Sequence, residues 1–316
     1  MIVDTHTHIW DTPEQLGPTA AKHMRDRLTV PWEAPEAGTD AHRQAMQRVR
    51  WSFVLGLESH HLGASIPIEQ VMAYVGQNAG SCLGFAGIDP MEDGHIKRAE
   101  EALAQGAAGF VFSPAAQAFH PSHTRAMALY EFCQDRGRPL ICHGVQHLGT
   151  GAQLQYAVPY LLDDVAHQFP QLRLVITQVG YPWIDQTLVI IARHEHVYAD
   201  VTDVVRRPWQ LYNTLLLASQ QGVMNKLVFG SDFPFCTPEH AIASILSVNQ
   251  LAHGTHLPTV PREELRLLVE RDALRCLGVS ALAAAQAQAH AMSESARASG
   301  GVAETPARAA GEGDRS

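Results

Sequence analysis

The chain has 316 residues, 46% hydrophobic and 17% charged, with 23 basic and 32 acidic side chains and a formal net charge of −9. That is an ordinary globular composition, and without a basic stretch it argues against nucleic acid as a partner. No apolar run is long enough to span a bilayer, no secretory signal opens the chain, and five scattered cysteines form no C-x-x-C pair, so the expectation is a cytoplasmic protein with reduced thiols that acts on a small molecule.

The first ten residues read as a short strand ending in a polar cluster, Asp4-Thr5-His6-Thr7-His8-Ile9-Trp10. Strand side chains alternate, so Asp4, His6 and His8 share one side, and two imidazoles there can hold one metal ion. Residues 11 to 50 form a long connection broken by Pro13, Pro18, Pro31 and Pro35, with a helical piece near Asp40 to Arg50. A connection of this length reads as a lid or binding loop, or as a solvated insertion without a role.

From Trp51 the chain alternates. Strand-like runs are expected at Trp51 to Leu57, Cys82 to Ile88, Ala108 to Phe112, Pro139 to Cys142, Leu172 to Thr177, Val197 to Val201 and Lys226 to Gly230. Helical spacing separates them, at Pro67 to Asn78, Ile96 to Gln105, His123 to Arg136, Tyr156 to Gln168, Trp183 to His194 and Trp209 to Gln220, with further helices at Pro238 to Leu251 and Arg262 to Leu277. With the N-terminal strand this makes eight short, continuously apolar runs, the pattern of a parallel sheet buried on both faces. Eight such units predict an α/β fold, a (β/α)₈ barrel over residues 1 to 280 with a long connection after the first strand. A doubly wound open sheet is the rival, but no glycine-rich phosphate loop follows any strand. Residues 281 to 316 are rich in Ala, Gly, Ser and Arg and read as a helical extension with a disordered end.

Barrel active sites lie at the C-terminal ends of strands. The first run ends in His6 and His8, the fifth in His143 and the eighth in Asp232. Three imidazoles and one carboxylate at one mouth suit a single divalent ion with a position left for water. Zinc is the first choice, and manganese, iron or cobalt suit the same donors.

With these motifs in place, the chain resembles the amidohydrolase superfamily, in its branch of aminocarboxymuconate-semialdehyde decarboxylase-like proteins. The resemblance rests on Asp4 to His8, Gly106 to Pro114, Pro139 to Gly144, Leu172 to Trp183, Val197 to Val201 and Leu227 to Pro234. It implies a distorted (β/α)₈ barrel, one divalent metal on His6, His8, His143 and Asp232, and a homodimer. Two places depart from the family. Gln178 stands where the sixth strand would carry a histidine, and Val111 and Ser113 stand where the fourth often carries lysine and histidine. Glutamine cannot exchange a proton at neutral pH, though it donates and accepts hydrogen bonds.

Three readings follow. The first is a hydrolase of a small amide, lactone or C–C compound, with Asp232 as base and Gln178 at the reacting group. The second is a non-oxidative decarboxylase of an unsaturated or aromatic acid, and the third is a degenerate barrel that binds a ligand without turnover. Trp10, His147, Trp183 and Arg206 are the candidate substrate contacts, with His60, His61 or His147 as stand-ins for the missing histidine. Asp4 is either an acceptor that orients a histidine or a structural strand-end residue.

Overall fold

The structure is a computed structural model that describes residues 1–26, 36–144 and 148–300. Among the described residues, ten strands follow in chain order. They are β1 (Val3–Thr7), β2 (Trp51–Leu55), β3 (Leu57–Ser59), β4 (Ala64–Ile66), β5 (Cys82–Gly87), β6 (Gly109–Phe112), β7 (Leu140–Cys142), β8 (Leu174–Ile176), β9 (Val197–Asp200) and β10 (Leu227–Val228). Eight of them form one parallel sheet in the order β1-β2-β5-β6-β7-β8-β9-β10. The residues after β10 return to β1: Thr5 N–H donates to Phe229 O, Asp232 N–H to His6 O and His8 N–H to Phe233 O. This closes the barrel and places Asp232 against the histidines of β1.

Side-chain alternation divides the apolar residues into two layers. Val3, Phe53, Leu55, Leu83, Phe85, Val111, Ile141, Val175 and Val228 fill the barrel, with Phe53 stacked on Phe85 at 4.7 Å between ring centroids. Leu274, Leu277, Val279 and Ala283 join the same cluster, so the segment entering the helix Ser280–Gly300 packs against this interior core. The alternate residues, Phe110, Phe112, Leu140, Leu174, Ile176 and Ala199 among them, pack outward against the helices.

Several elements differ from the sequence expectation for identifiable reasons. The run Trp51 to Leu57 is not one strand: after Leu55 the chain turns into the antiparallel hairpin β3–β4. The span Tyr156 to Gln168 breaks into short turns before the helix Asp163–Gln168, because Pro159 forces Val158 into an extended backbone (φ −71, ψ 118). Arg262 to Leu277 divides into Arg262–Val269 and Ala273–Cys276. Arg271 donates to the carbonyls of Leu227 and Met224, and Asp272 starts a new turn by capping Arg275 N–H. In the helix Thr124–Asp135 the buried residues are Ala126, Leu129, Tyr130 and Cys133, while Met127 and Phe132 are half-buried.

The described part of the long β1–β2 connection is packed, not solvated. Its helix Pro18–Asp26, unforeseen among the prolines, lies on the segment Gly149–Gly151 beyond β7. Leu16, Ala20, Met24 and Ala37 build a second small core with Trp10, Leu62 and Ile66. His42 pins the connection to the barrel. Thr7 Oγ1 donates to Phe53 O at 2.6 Å and so accepts from His42 Nε2 at 2.9 Å, which leaves His42 Nδ1 to accept the Tyr74 hydroxyl proton at 2.7 Å. Burial lowers the His42 pKa to about 3, so the ring stays neutral. No helix among the described residues is long and apolar enough to cross a membrane. The expected disordered end, from residue 301 on, lies outside the described residues.

Candidate metal centre

His6 and His8 leave the end of β1 on one side, and His143 follows β7 directly. All three are buried, with pairwise ring centroids 5.1 to 5.2 Å apart. Each ring is oriented by its other nitrogen. His8 Nδ1 lies 3.0 Å from Leu55 O, His143 Nδ1 lies 2.8 Å from Gly144 O, and His6 Nδ1 lies 2.9 Å from Asp200 Oδ2. A carbonyl or ionised carboxylate oxygen can only accept, so each ring carries its proton on Nδ1.

The three Nε2 atoms therefore present lone pairs to one another. His8 Nε2 lies 3.2 Å from His6 Nε2 and 3.1 Å from His143 Nε2. Between neutral rings these contacts have no proton to share and are repulsive. A cation makes them favourable. Tetrahedral nitrogens about 2.0 to 2.1 Å from zinc stand roughly 3.3 Å apart, so the donor set fits such an ion. Three histidines with a position open is the donor count of a catalytic site.

Asp232 adjoins this group: its Oδ1 is 3.7 Å from His6 Nε2, and among the described residues the three histidines form a compact set with donor atoms within 4.8 Å of one another. Asp232 has φ +69, in the left-handed region that aspartate adopts more readily than most residues other than glycine, and its backbone N–H makes the barrel-closing bond to His6 O. Burial lowers the His6 pKa, but Asp200, with Asp232 and Asp4 adding to it, turns the net shift upward, which makes its ring a more basic ligand. His8 is held well below the usual histidine range by burial, with His143 and His6 adding to the effect.

Asp200 is the functional residue that sequence reasoning missed. It lies at the end of β9, fully buried, and its second oxygen accepts from Gln178 N–H at 2.7 Å, Thr202 N–H at 3.1 Å and the Thr202 hydroxyl. The rule applied to the other strands, asking what each one ends with, would have found it. Asp4 does not orient a histidine. It accepts from the backbone N–H of His6 and Ser231 at 3.2 and 2.9 Å and so ties β1 to the end of the eighth barrel strand.

Gln178 is buried next to His143. Its backbone is left-handed (φ 58, ψ 26), and neither atom of its carboxamide has a hydrogen-bond partner. Gly144 allows this: a Cβ there would fall 2.1 Å from Gln178 Oε1. Ser113 supports the same loop by donating to His143 O at 2.9 Å, while Val111 belongs to the barrel core. Cys142 faces the helix layer, and burial pushes its thiol up to about 12, which excludes a thiolate nucleophile at neutral pH.

The remaining candidates are divided by the fold. Trp10 is buried with its ring 6.4 Å from His8 and 5.7 Å from Phe235. Arg206 reaches the site, 3.9 Å from Asp232 Oδ2, but is bound more closely by Asp203 at 2.6 Å. Trp183 lines a different depression, shared with Trp209 on the next helix, and is not placed at the histidines. His60 and His61 are exposed on the rim, near Glu92 and bonded to Gly151 O respectively. His147 lies outside the described residues.

A family profile described as Amidohydrolase matches residues 3–279. The chain belongs to the amidohydrolase family. The eight-stranded parallel barrel implied by the resemblance in sequence is thus the fold observed, and Asp200, His6, His8 and His143 all lie within the matched span. No curated protein matches the sequence. Among solved structures, an uncharacterised TIM-barrel protein from Bordetella bronchiseptica is similar at 20% identity and TM-score 0.70, covering 90% of this chain and 99% of that one. An amidohydrolase from Burkholderia multivorans with bound zinc is similar at 14% identity and TM-score 0.63, covering 88% and 99%. 5-Carboxyvanillate decarboxylase from Sphingomonas paucimobilis is similar at 12% identity and TM-score 0.61, again covering 88% and 99%. The same barrel thus carries hydrolases and decarboxylases alike, and these likenesses speak for the fold.

Proposed function

We propose that the chain is a metal-dependent hydrolase of a small carbonyl compound, an amide, a lactone or a C–C substrate. The observation that carries this reading is the convergence of three Nε2 atoms, on rings whose protons are committed to Nδ1, beside the carboxylate of Asp232. His6, His8 and His143 would hold a divalent ion, which would supply Lewis acidity toward a carbonyl oxygen and lower the pKa of water towards roughly 7. Zinc fits first, and bound zinc is named in the Burkholderia multivorans structure.

Asp232 is close enough to complete the ligand set or to act as general base. As base it takes one proton from the attacking water and returns it to the leaving atom. The water oxygen bonds to the carbonyl carbon, and the bond from that carbon to nitrogen, oxygen or carbon breaks. Arg206 offers positive charge on the far side of Asp232, and Trp10 walls the site behind His8. Gln178 holds a polar group by hydrogen bonds and exchanges no proton. That favours hydrolysis of an amide or lactone, where Asp232 returns the proton to nitrogen or oxygen, over decarboxylation and C–C cleavage, which need a proton delivered to carbon.

Turnover in ¹⁸O-labelled water, across a panel of small amides, lactones and β-diketones, tests the reading. Hydrolysis places one ¹⁸O in the carboxylate product. Release of CO₂ from aromatic or unsaturated acids without label uptake would replace it with the decarboxylase reading.

A further inference from the structure

Beside His143 lies a narrow cavity, with about 30 Å³ of room for a water-sized guest, walled by Pro114, Ala115, Val158, Leu162 and Ile176. Among the described residues no Asp, Glu, Lys or Arg side chain lines it. Its polar lining is His143, Tyr156, Thr177, Tyr181 and Gln178, and both carboxamide atoms of Gln178, Nε2 and Oε1, are buried and without a partner. A carboxamide buried with neither half satisfied is costly, and native interiors avoid it unless a ligand or water completes the pair. The local structure is built to keep it there. Asp200 fixes the Gln178 backbone in a left-handed turn, and Gly144 lacks the side chain that would displace the amide.

We infer that this cavity is a recognition slot for an uncharged amide edge, N–H beside C=O, on a lactam or carboxamide substrate. The inference rests on the reading of the barrel mouth as the substrate site. Gln178 Nε2–H donates to the ligand carbonyl while Oε1 accepts from the ligand N–H, a two-point match. Esters, ketones and lactones offer the acceptor alone and leave Oε1 unmet. A carboxylate also lacks the donor and leaves Oε1 unmet. The small volume means the slot takes the polar edge of the substrate and not its body. Glutamine serves this purpose better than the histidine expected at this position, because its donor and acceptor lie side by side and do not change with pH.

The test is ligand-detected NMR on the metal-loaded full chain with three probes of similar size: 2-pyrrolidinone, N-methyl-2-pyrrolidinone and cyclopentanone. The wild type binds 2-pyrrolidinone at least ten-fold more tightly than either acceptor-only probe. Gln178→Met removes that preference, with one metal per chain retained as the control for an intact site. Equal binding of the three probes by the wild type overturns the inference, as does an unchanged preference in Gln178→Met. An amide preference without ¹⁸O incorporation in the hydrolysis assay would leave the slot standing and remove the hydrolase reading.

Discussion

Asp200 accepts the Nδ1 proton of His6 at 2.9 Å, and both side chains are buried in the barrel mouth. Through its other oxygen the same carboxylate holds the backbone N–H of Gln178 at 2.7 Å. One residue of β9 therefore sets the tautomer of a metal ligand and the turn that aims the slot amide. Outer partners of metal-bound histidines typically contribute 10- to 100-fold in metal affinity. Asp200→Asn turns an N–H group toward donors that now meet a carboxylate. Zinc affinity is expected to fall by about 10- to 100-fold, read by competition with a chromogenic chelator. Unchanged affinity would remove Asp200 from the site.

Gly144→Ala tests the packing between the slot and the metal ligand. Its new Cβ would fall 2.1 Å from Gln178 Oε1 and 2.8 Å from Cδ, so the amide must move. We expect kcat/KM on the best hydrolysed substrate to fall at least about ten-fold, the loss of one well-made buried hydrogen bond. Metal content stays at one per chain. A variant with full activity would show that Gln178 does not need its present position.

His42 makes stability depend on pH. Burial holds it neutral, with a pKa near 3 against an ordinary 6.5. Between these values the unfolded chain binds more protons than the folded one, so stability rises with pH there. The contribution is fully present above about pH 6.5 and is lost as pH falls towards 3, at up to about 1.4 kcal/mol per pH unit. Urea titrations from pH 7 to 4.5 should give a shallower slope for His42→Gln than for the wild type. Parallel slopes would mean that His42 is not buried as a neutral ring.

Phe53 tests the barrel interior. It is fully buried and stacked on Phe85 at 4.7 Å. Phe53→Ala should cost about 3 to 5 kcal/mol, the usual range for emptying an aromatic site in a core. A shift below about 1 kcal/mol in the urea midpoint, converted through the m-value, would argue against this packing.

Much of this was legible in the sequence, for reasons that can be named. Doubly buried strands leave unbroken apolar runs such as Phe110-Val111-Phe112, and the barrel turns their ends into a single mouth, so His6, His8 and His143 met as expected. Asp232, expected at the same mouth, is brought beside His6 at 3.7 Å by the backbone bonds that close the barrel. What stayed hidden depends on contacts between distant segments. Asp200 sits at the end of an apolar run, where the strand-end rule could have found it, but its partner His6 is 194 residues away. His42 lay in the helical piece of the long connection, and its partners Thr7 and Tyr74 are 35 and 32 residues away. Trp183 was read toward the pocket, but the left-handed turn at Gln178 and Val179 carries the chain around so that it lines another depression.

The central claim, a three-histidine metal centre, is tested most directly by elemental analysis of the purified, exhaustively dialysed full chain beside His8→Ala and His143→Ala. The account predicts one divalent transition ion per wild-type chain and less than about a tenth of that in either variant, in line with removal of one of three protein ligands. A wild-type chain that binds no stoichiometric ion even after incubation with zinc or manganese would contradict it.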